Sequence, residues 1–176
     1  MKSHEAAEQT AVRVLREKAG LRHIYLEQLS TFSDPGRDPR GWIPTVAYVG
    51  LVPPDTKAED PLAHWTSART PPDLAYDHRH ILDAALDRVV GKLWWSNIAV
   101  GILPDAFTLG QAREVYEAIA GTAYDPSTFA RDLRATALIA RTGETHHETG
   151  GRPAALYTFS TQSPAWGIGR RKRIST

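Results

Sequence analysis

Thr128, Arg131 and Arg134 recur at every third position in Pro126-Ser-Thr-Phe-Ala-Arg-Asp-Leu-Arg-Ala135, and Arg152 follows in a Gly-rich stretch. On a helix this spacing places the hydroxyl and the guanidiniums on the outward face, opposite Phe129, Leu133 and Thr136. A guanidinium can donate two parallel hydrogen bonds to guanine O6 and N7, worth ~1–3 kcal/mol of discrimination between bases. It can equally grip a phosphate. Thr128 and Arg131, one turn apart, are expected to face a DNA major groove, and Arg134 a backbone phosphate. Arg152 suits a phosphate or the minor groove, unless it pairs with Glu144 or Glu148. Asp132, an anion between two arginines, is expected to turn away. A weaker set of ligand-binding candidates lies earlier: Arg37 and Arg40, in a loop with Asp34 and Asp38, and Glu17. The arginines have the charge for a phosphate ligand, although pairing within the loop satisfies the same spacing.

The elements that must position the first set are legible. Ile98–Leu103 reads as a short apolar strand closed by Pro104. Thr108-Leu-Gly-Gln111 has the spacing of a capping box. Behind it Leu109, Ala112, Tyr116 and Ile119, with Val115 beside them, form one apolar helical stripe that Gly121 ends. Asp125 and Pro126 start the next helix as N-cap and N1. Leu138–Arg141 and Ala154–Phe159 read as two strands around a polar tip, Thr142–Arg152, where His146 and His147 are expected to be solvated. Two helices followed by a hairpin suit a winged helix, with the second helix in a groove and the hairpin as the wing.

The first half reads differently. Residues 5–19 form an amphipathic helix with Ser3 as N-cap and Gly20 as the stop. Two β-rich runs, 24–29 and 42–52, flank the loop 31–41. Residues 53–75 are a Pro-rich loop with Trp65 as its expected anchor on the sheet. Asp77 can cap a helix whose apolar stripe is Leu82, Ala85, Leu86, Val89 and Leu93. His78 and His80, two apart, do not share a helical face and so do not read as a metal pair. Trp94-Trp95 suits a buried hinge or a dimer seam, with core packing as the commoner role.

Composition bounds the rest. The 176 residues contain no cysteine, which excludes disulfides and thiolate metal sites. No apolar run approaches membrane-spanning length and no signal peptide is recognisable, so the cytoplasm is expected and a membrane partner is not. Residues 1–90 hold 11 Lys and Arg against 13 Asp and Glu, whereas residues 91–176 hold 10 against 7. A basic second half suits a polyanion, although Arg170-Arg171-Lys172-Arg173 is a tail end and counts for little.

Glu5, then Arg13, Leu15, Glu17 and Gly20-Leu21, resemble the frame of a Nudix box, whose glutamates hold divalent cations for pyrophosphate hydrolysis. Val14 and Lys18 stand where that family has glutamates, and the opening glycine would precede Met1. One carboxylate beside an ammonium does not suit a hard dication. No metal, cofactor or catalytic residue is therefore assigned, and enzymatic hydrolysis is not expected.

Further strings, Tyr25-Leu-Glu-Gln-Leu29, Phe32-Ser-Asp-Pro35, Asp38-Pro-Arg-Gly-Trp42, Val46-Ala-Tyr-Val-Gly-Leu-Val-Pro53, Phe107-Thr-Leu109 and Gly151-Arg-Pro-Ala-Ala-Leu-Tyr-Thr-Phe159, resemble the NrtR family, Nudix-related transcriptional regulators of NAD metabolism. The likeness runs to Phe159. It implies an α+β chain: a partial Nudix-like α/β/α domain over residues 1–90, a winged helix-turn-helix domain over 91–160, and a basic tail over 161–176. It implies operator DNA as partner, ADP-ribose or a related nucleotide as effector, and a homodimer. The alternative is a Nudix-type ADP-ribose or nucleoside-diphosphate pyrophosphatase whose second half serves dimerisation. Because the chain starts inside the box, a mis-called or truncated start is expected, with unpartnered apolar surface on residues 5–19 and 24–52.

Overall fold

The computed structural model describes residues 4–21, 25–58, 60–146 and 153–161, which divide into two units at Arg88/Val89. Within the first, α1 (Ala7–Ala19) ends where Gly20 adopts φ 67° and donates its N–H to the Arg16 carbonyl. This left-handed conformation is cheap only without a Cβ. The N-cap is Ala6 rather than Ser3, which lies outside the described residues; Gln9 Oε1 accepts the Ala6 N–H in place of a side-chain cap. A long amide reaching back satisfies one orphan donor without a hydroxyl at the cap. No residue of α1 is fully buried.

Strands β1 (Tyr25–Phe32) and β2 (Thr45–Leu51) pair antiparallel, with an irregularity between Gln28 and Ser30. Leu29, Phe32 and Ala47 form the small core of this unit. Ile81, Ala84 and Ala85 of α2 (His78–Lys92) pack on it, and the Arg88 guanidinium bonds Glu27 and the Leu29 carbonyl. Trp65 does not anchor the Pro-rich loop to the sheet. It is 60% exposed, and its indole donates to Thr56 O of the same loop. The indole N–H needs an acceptor when partly covered, and a local carbonyl supplies one.

In the second unit the run Ile98–Leu103 is not a strand. Ile98–Gly101 is a 3₁₀ turn, with Val100 N–H bonded to Asn97 O and both Ile102 and Leu103 N–H to Ala99 O. A short apolar run has no periodicity to separate strand from buried turn, and here the local carbonyls take the donors. Strand β3 (Phe107–Thr108) follows and leads directly into α3 (Leu109–Ala120), then α4 (Pro126–Ala135), β4 (Ile139–His146) and β5 (Ala154–Phe159). The sheet order is β3-β5-β4, all antiparallel. Strand β4 extends into the segment expected as hairpin tip, with a register shift between Arg141 and Thr145.

The core of this unit is aromatic. Trp94 meets Tyr116, Tyr124 and Phe129 edge-on at 5.4–5.6 Å, and Tyr116 meets Phe129 at 5.3 Å. Phe107 stacks obliquely on Phe159 at 5.1 Å, with Ile139 opposite Phe159 on β4. Quadrupole complementarity favours these tilted contacts. The first set joins α3 to α4, and the second joins β3 to β5. Trp94 is thus half-buried in this cluster, whereas Trp95 is exposed, with its indole on Gly91 O and the Lys92 ammonium over its ring. Among the described residues no helix is long and apolar enough to cross a membrane.

Candidate nucleic-acid interface

The two caps that aim the helices form as the sequence requires. Thr108 Oγ1 accepts the Gln111 N–H at 3.2 Å, and Gln111 Oε1 accepts the Thr108 N–H at 2.8 Å. Asp125 accepts the Thr128 N–H at 2.8 Å, which holds its carboxyl below the ordinary range. Gly121 closes α3 at φ 71°, and Glu117 Oε1 takes the Tyr124 N–H, shaping the turn between the helices. Arg113 bonds the Tyr124 carbonyl and lies 3.6 Å from Glu117, so the turn is clasped from both sides.

With Phe129 and Leu133 buried, helical geometry leaves Thr128, Arg131 and Arg134 on the outer face. The Arg131 side chain is 73% exposed. Asp132 has not turned away from it. Arg131 Nε donates to Asp132 Oδ1 at 2.9 Å, which raises the guanidinium pKa. Adjacent exposed side chains of opposite charge can meet by rotation about their own bonds, and water screens the pair enough for a ligand to break it. Arg134 Nε donates to the Tyr157 hydroxyl of β5 at 3.2 Å. Arg152 lies outside the described residues.

The earlier candidates are arranged otherwise. Arg37 places Nε and Nη2 on the two oxygens of Asp77, at 2.8 and 2.7 Å, and Nη1 on Ile43 O and Thr45 Oγ1. Only 5% of its side chain is exposed. Asp77 precedes α2, but its carboxylate goes to Arg37, which lowers its pKa, rather than serving simply as a helix cap. Arg40 grips Asp38 through Nε and Nη2 and lies over the Tyr76 ring at 4.9 Å. Asp38 is thereby pulled down to about 2. Glu17 Oε2 accepts Arg13 Nη1, while Glu5 takes Arg13 Nε and Nη2.

These residues do not fit the dication that a Nudix box would hold. Glu17 is engaged by Arg13, position 14 is apolar, and Lys18 is an ammonium. Among the described residues no cluster of three or more His, Asp or Glu has metal-site geometry.

Two residues at the α4–wing junction were missed by the sequence. Tyr157 and Arg141 are directly paired across β5 and β4. Their signal was a strand register, which single-sequence patterns do not encode.

Comparison with known proteins places the same segments. Residues 99–159 match the family described as the NrtR DNA-binding winged helix domain. The ADPR responsive transcriptional repressor NtrR of Acinetobacter baylyi is 32% identical over 160 residues, covering 86% of this chain. The chain spans 63% of that repressor's length. The crystal structure of Shewanella oneidensis NrtR complexed with a 27mer DNA is similar with a TM-score of 0.72 and 31% identity, over 89% of this chain and 74% of that one. A MutT/nudix family protein from Enterococcus faecalis is similar with a TM-score of 0.67 and 25% identity, over 90% of this chain and 70% of that one. The fold class is thus α+β, a Nudix-like unit followed by a winged helix.

Proposed function

The chain belongs to the NrtR family, and on that premise we propose that it is a DNA-binding transcriptional regulator whose Nudix-like unit senses ADP-ribose or a related nucleotide. The observation that carries this reading is the outer face of α4. It presents Thr128 and Arg131 one turn apart, beside the β4–β5 hairpin of a three-stranded sheet, in a chain similar along 89% of its length to an NrtR crystallised with DNA. Arg131 is the base-reading residue, with Thr128 beside it, while Arg134 and Arg152 serve phosphates. The protein works as a cytoplasmic homodimer on a two-fold operator, as a single recognition helix reads too few bases for specificity.

For the effector, Arg40 is the better placed of the loop arginines. Its side chain is 63% exposed, and one of its terminal nitrogens is free of Asp38. Arg37 would first have to release Asp77. No metal-dependent hydrolysis is assigned to α1, since Arg13 occupies the carboxylates that a dication would need.

A mobility-shift titration on the chain's own upstream DNA, with and without ADP-ribose at two salt concentrations, tests the reading. Specific binding relieved by the nucleotide is expected, and Arg131→Ala abolishes it without unfolding the chain. Binding no better than to a scrambled duplex overturns the regulator reading, and specific binding indifferent to ADP-ribose removes the sensor.

A further inference from the structure

Four arginines are described in the second unit. Arg113 lies against Glu117 and Arg131 against Asp132. Arg134 and Arg141 have no carboxylate partner among the described residues, and both border the same side chain. Arg134 reaches the Tyr157 hydroxyl from α4. Arg141 is the residue directly opposite Tyr157 on β4, so their side chains rise from one face with Cβ atoms about 5 Å apart. Strand and helix thus bring two uncompensated guanidiniums to one phenol. Gathering like charges is unfavourable unless an anion sits with them.

We propose that Arg134, Arg141 and Tyr157 form a phosphate site for the DNA backbone at the junction of α4 and the wing. The proposal rests on the DNA-binding reading and adds to it two residues and a geometry. Arg134 commits Nε to the phenol and keeps both terminal nitrogens for a phosphate, the two-pronged grip that guanidinium favours. Tyr157 accepts that Nε–H and so acts as a positioning residue, holding an otherwise flexible side chain in one direction. Arg141 supplies the second cation from the wing. A phosphate bridged between α4 and β4 fixes the angle at which α4 enters the groove, and therefore which bases Thr128 and Arg131 meet.

The test uses the full chain on two duplexes of equal length, its own upstream DNA and a scrambled sequence, in rising KCl. Arg134→Gln and Arg141→Gln are each expected to weaken binding to both duplexes. Each also lowers the slope of log affinity against log salt by about one, and Arg141→Lys restores the slope. Tyr157→Phe leaves the slope intact and weakens binding about 2- to 10-fold, an effect that disappears in the Arg134→Gln background. Thermal melts of these surface variants are expected to match the wild type.

Unchanged affinity and slope in Arg141→Gln overturn the proposal, as does a Tyr157→Phe effect that persists without Arg134. Weakened ADP-ribose binding with intact DNA binding assigns the phosphate to the nucleotide and overturns it too. If the wild type itself binds neither duplex, the regulator reading fails and this site with it.

Discussion

Glu5 and Arg13, eight residues apart, are joined by two parallel hydrogen bonds, Nε to Oε1 at 2.8 Å and Nη2 to Oε2 at 2.9 Å. The third arm of Arg13 reaches Glu17 one turn further on. The guanidinium thus ties the chain before α1 to the body of the helix, which otherwise has no fully buried residue. The charges of this box remnant are thereby paired with one another. Arg13→Ala is expected to speed hydrogen exchange at the amides of α1, with Glu5→Gln intermediate. Unchanged exchange in both would show that packing alone holds the helix.

Thr108 and Gln111 satisfy each other's backbone donors at the start of α3. Thr108→Ala is expected to lower the unfolding free energy of the second unit by about 1 kcal/mol. Urea denaturation would show a reduced midpoint with an unchanged slope. Thr108→Ser restores most of the loss, as the hydroxyl is the group that caps.

Among the described residues the buried Tyr116 hydroxyl has no partner, and burial pushes its pKa upward. The ring is needed, for it packs against Trp94 and Phe129. Tyr116→Phe is therefore expected to be neutral or to stabilise by about 1 kcal/mol. Phe129→Ala, which empties the same cluster, costs about 3–5 kcal/mol. A destabilised Tyr116→Phe would mean that the hydroxyl has a partner in solution.

Ala137, between α4 and β4, has φ 56°. A Cβ in the left-handed region costs roughly 1–2 kcal/mol, more than the chain entropy that glycine adds. Ala137→Gly should raise the thermal midpoint, and a fall would show that the turn relaxes to negative φ in solution.

Asp38, Asp77 and Asp125 all titrate below their ordinary value of 3.8, Asp38 at about 2 because Arg40 bonds it. Each binds protons more weakly in the folded than in the unfolded chain. Their contribution is complete above the unfolded value and is lost as pH falls from about 4 through the folded value. Stability between pH 5 and pH 2 should therefore fall less steeply in Asp38→Asn than in the wild type, read from denaturation midpoints across that window.

Asp132 holds Arg131 at 2.9 Å, so on the proposed DNA-binding function it competes with DNA for that guanidinium and presents a negative charge to the phosphates. Asp132→Asn should tighten binding to both specific and scrambled duplexes. Weaker binding by this variant would assign Asp132 to orienting Arg131.

What the sequence determined by itself was local. The caps at Thr108 and Asp125, the stops at Gly20 and Gly121, and the apolar stripe of α3 follow from hydrogen-bonding groups and helical period within a few residues. The same locality made α4 and its outward residues legible. The run Ile98–Leu103 failed because six apolar residues carry no period that separates a strand from a 3₁₀ turn. Tertiary structure alone decided the partners of the charges. Arg37 found Asp77 across 40 residues, and Arg134 met Tyr157 across 23. A guanidinium bonds any acceptor the fold brings within about 3 Å. Which one that is depends on strand register and helix placement, and side-chain spacing along the chain carries neither.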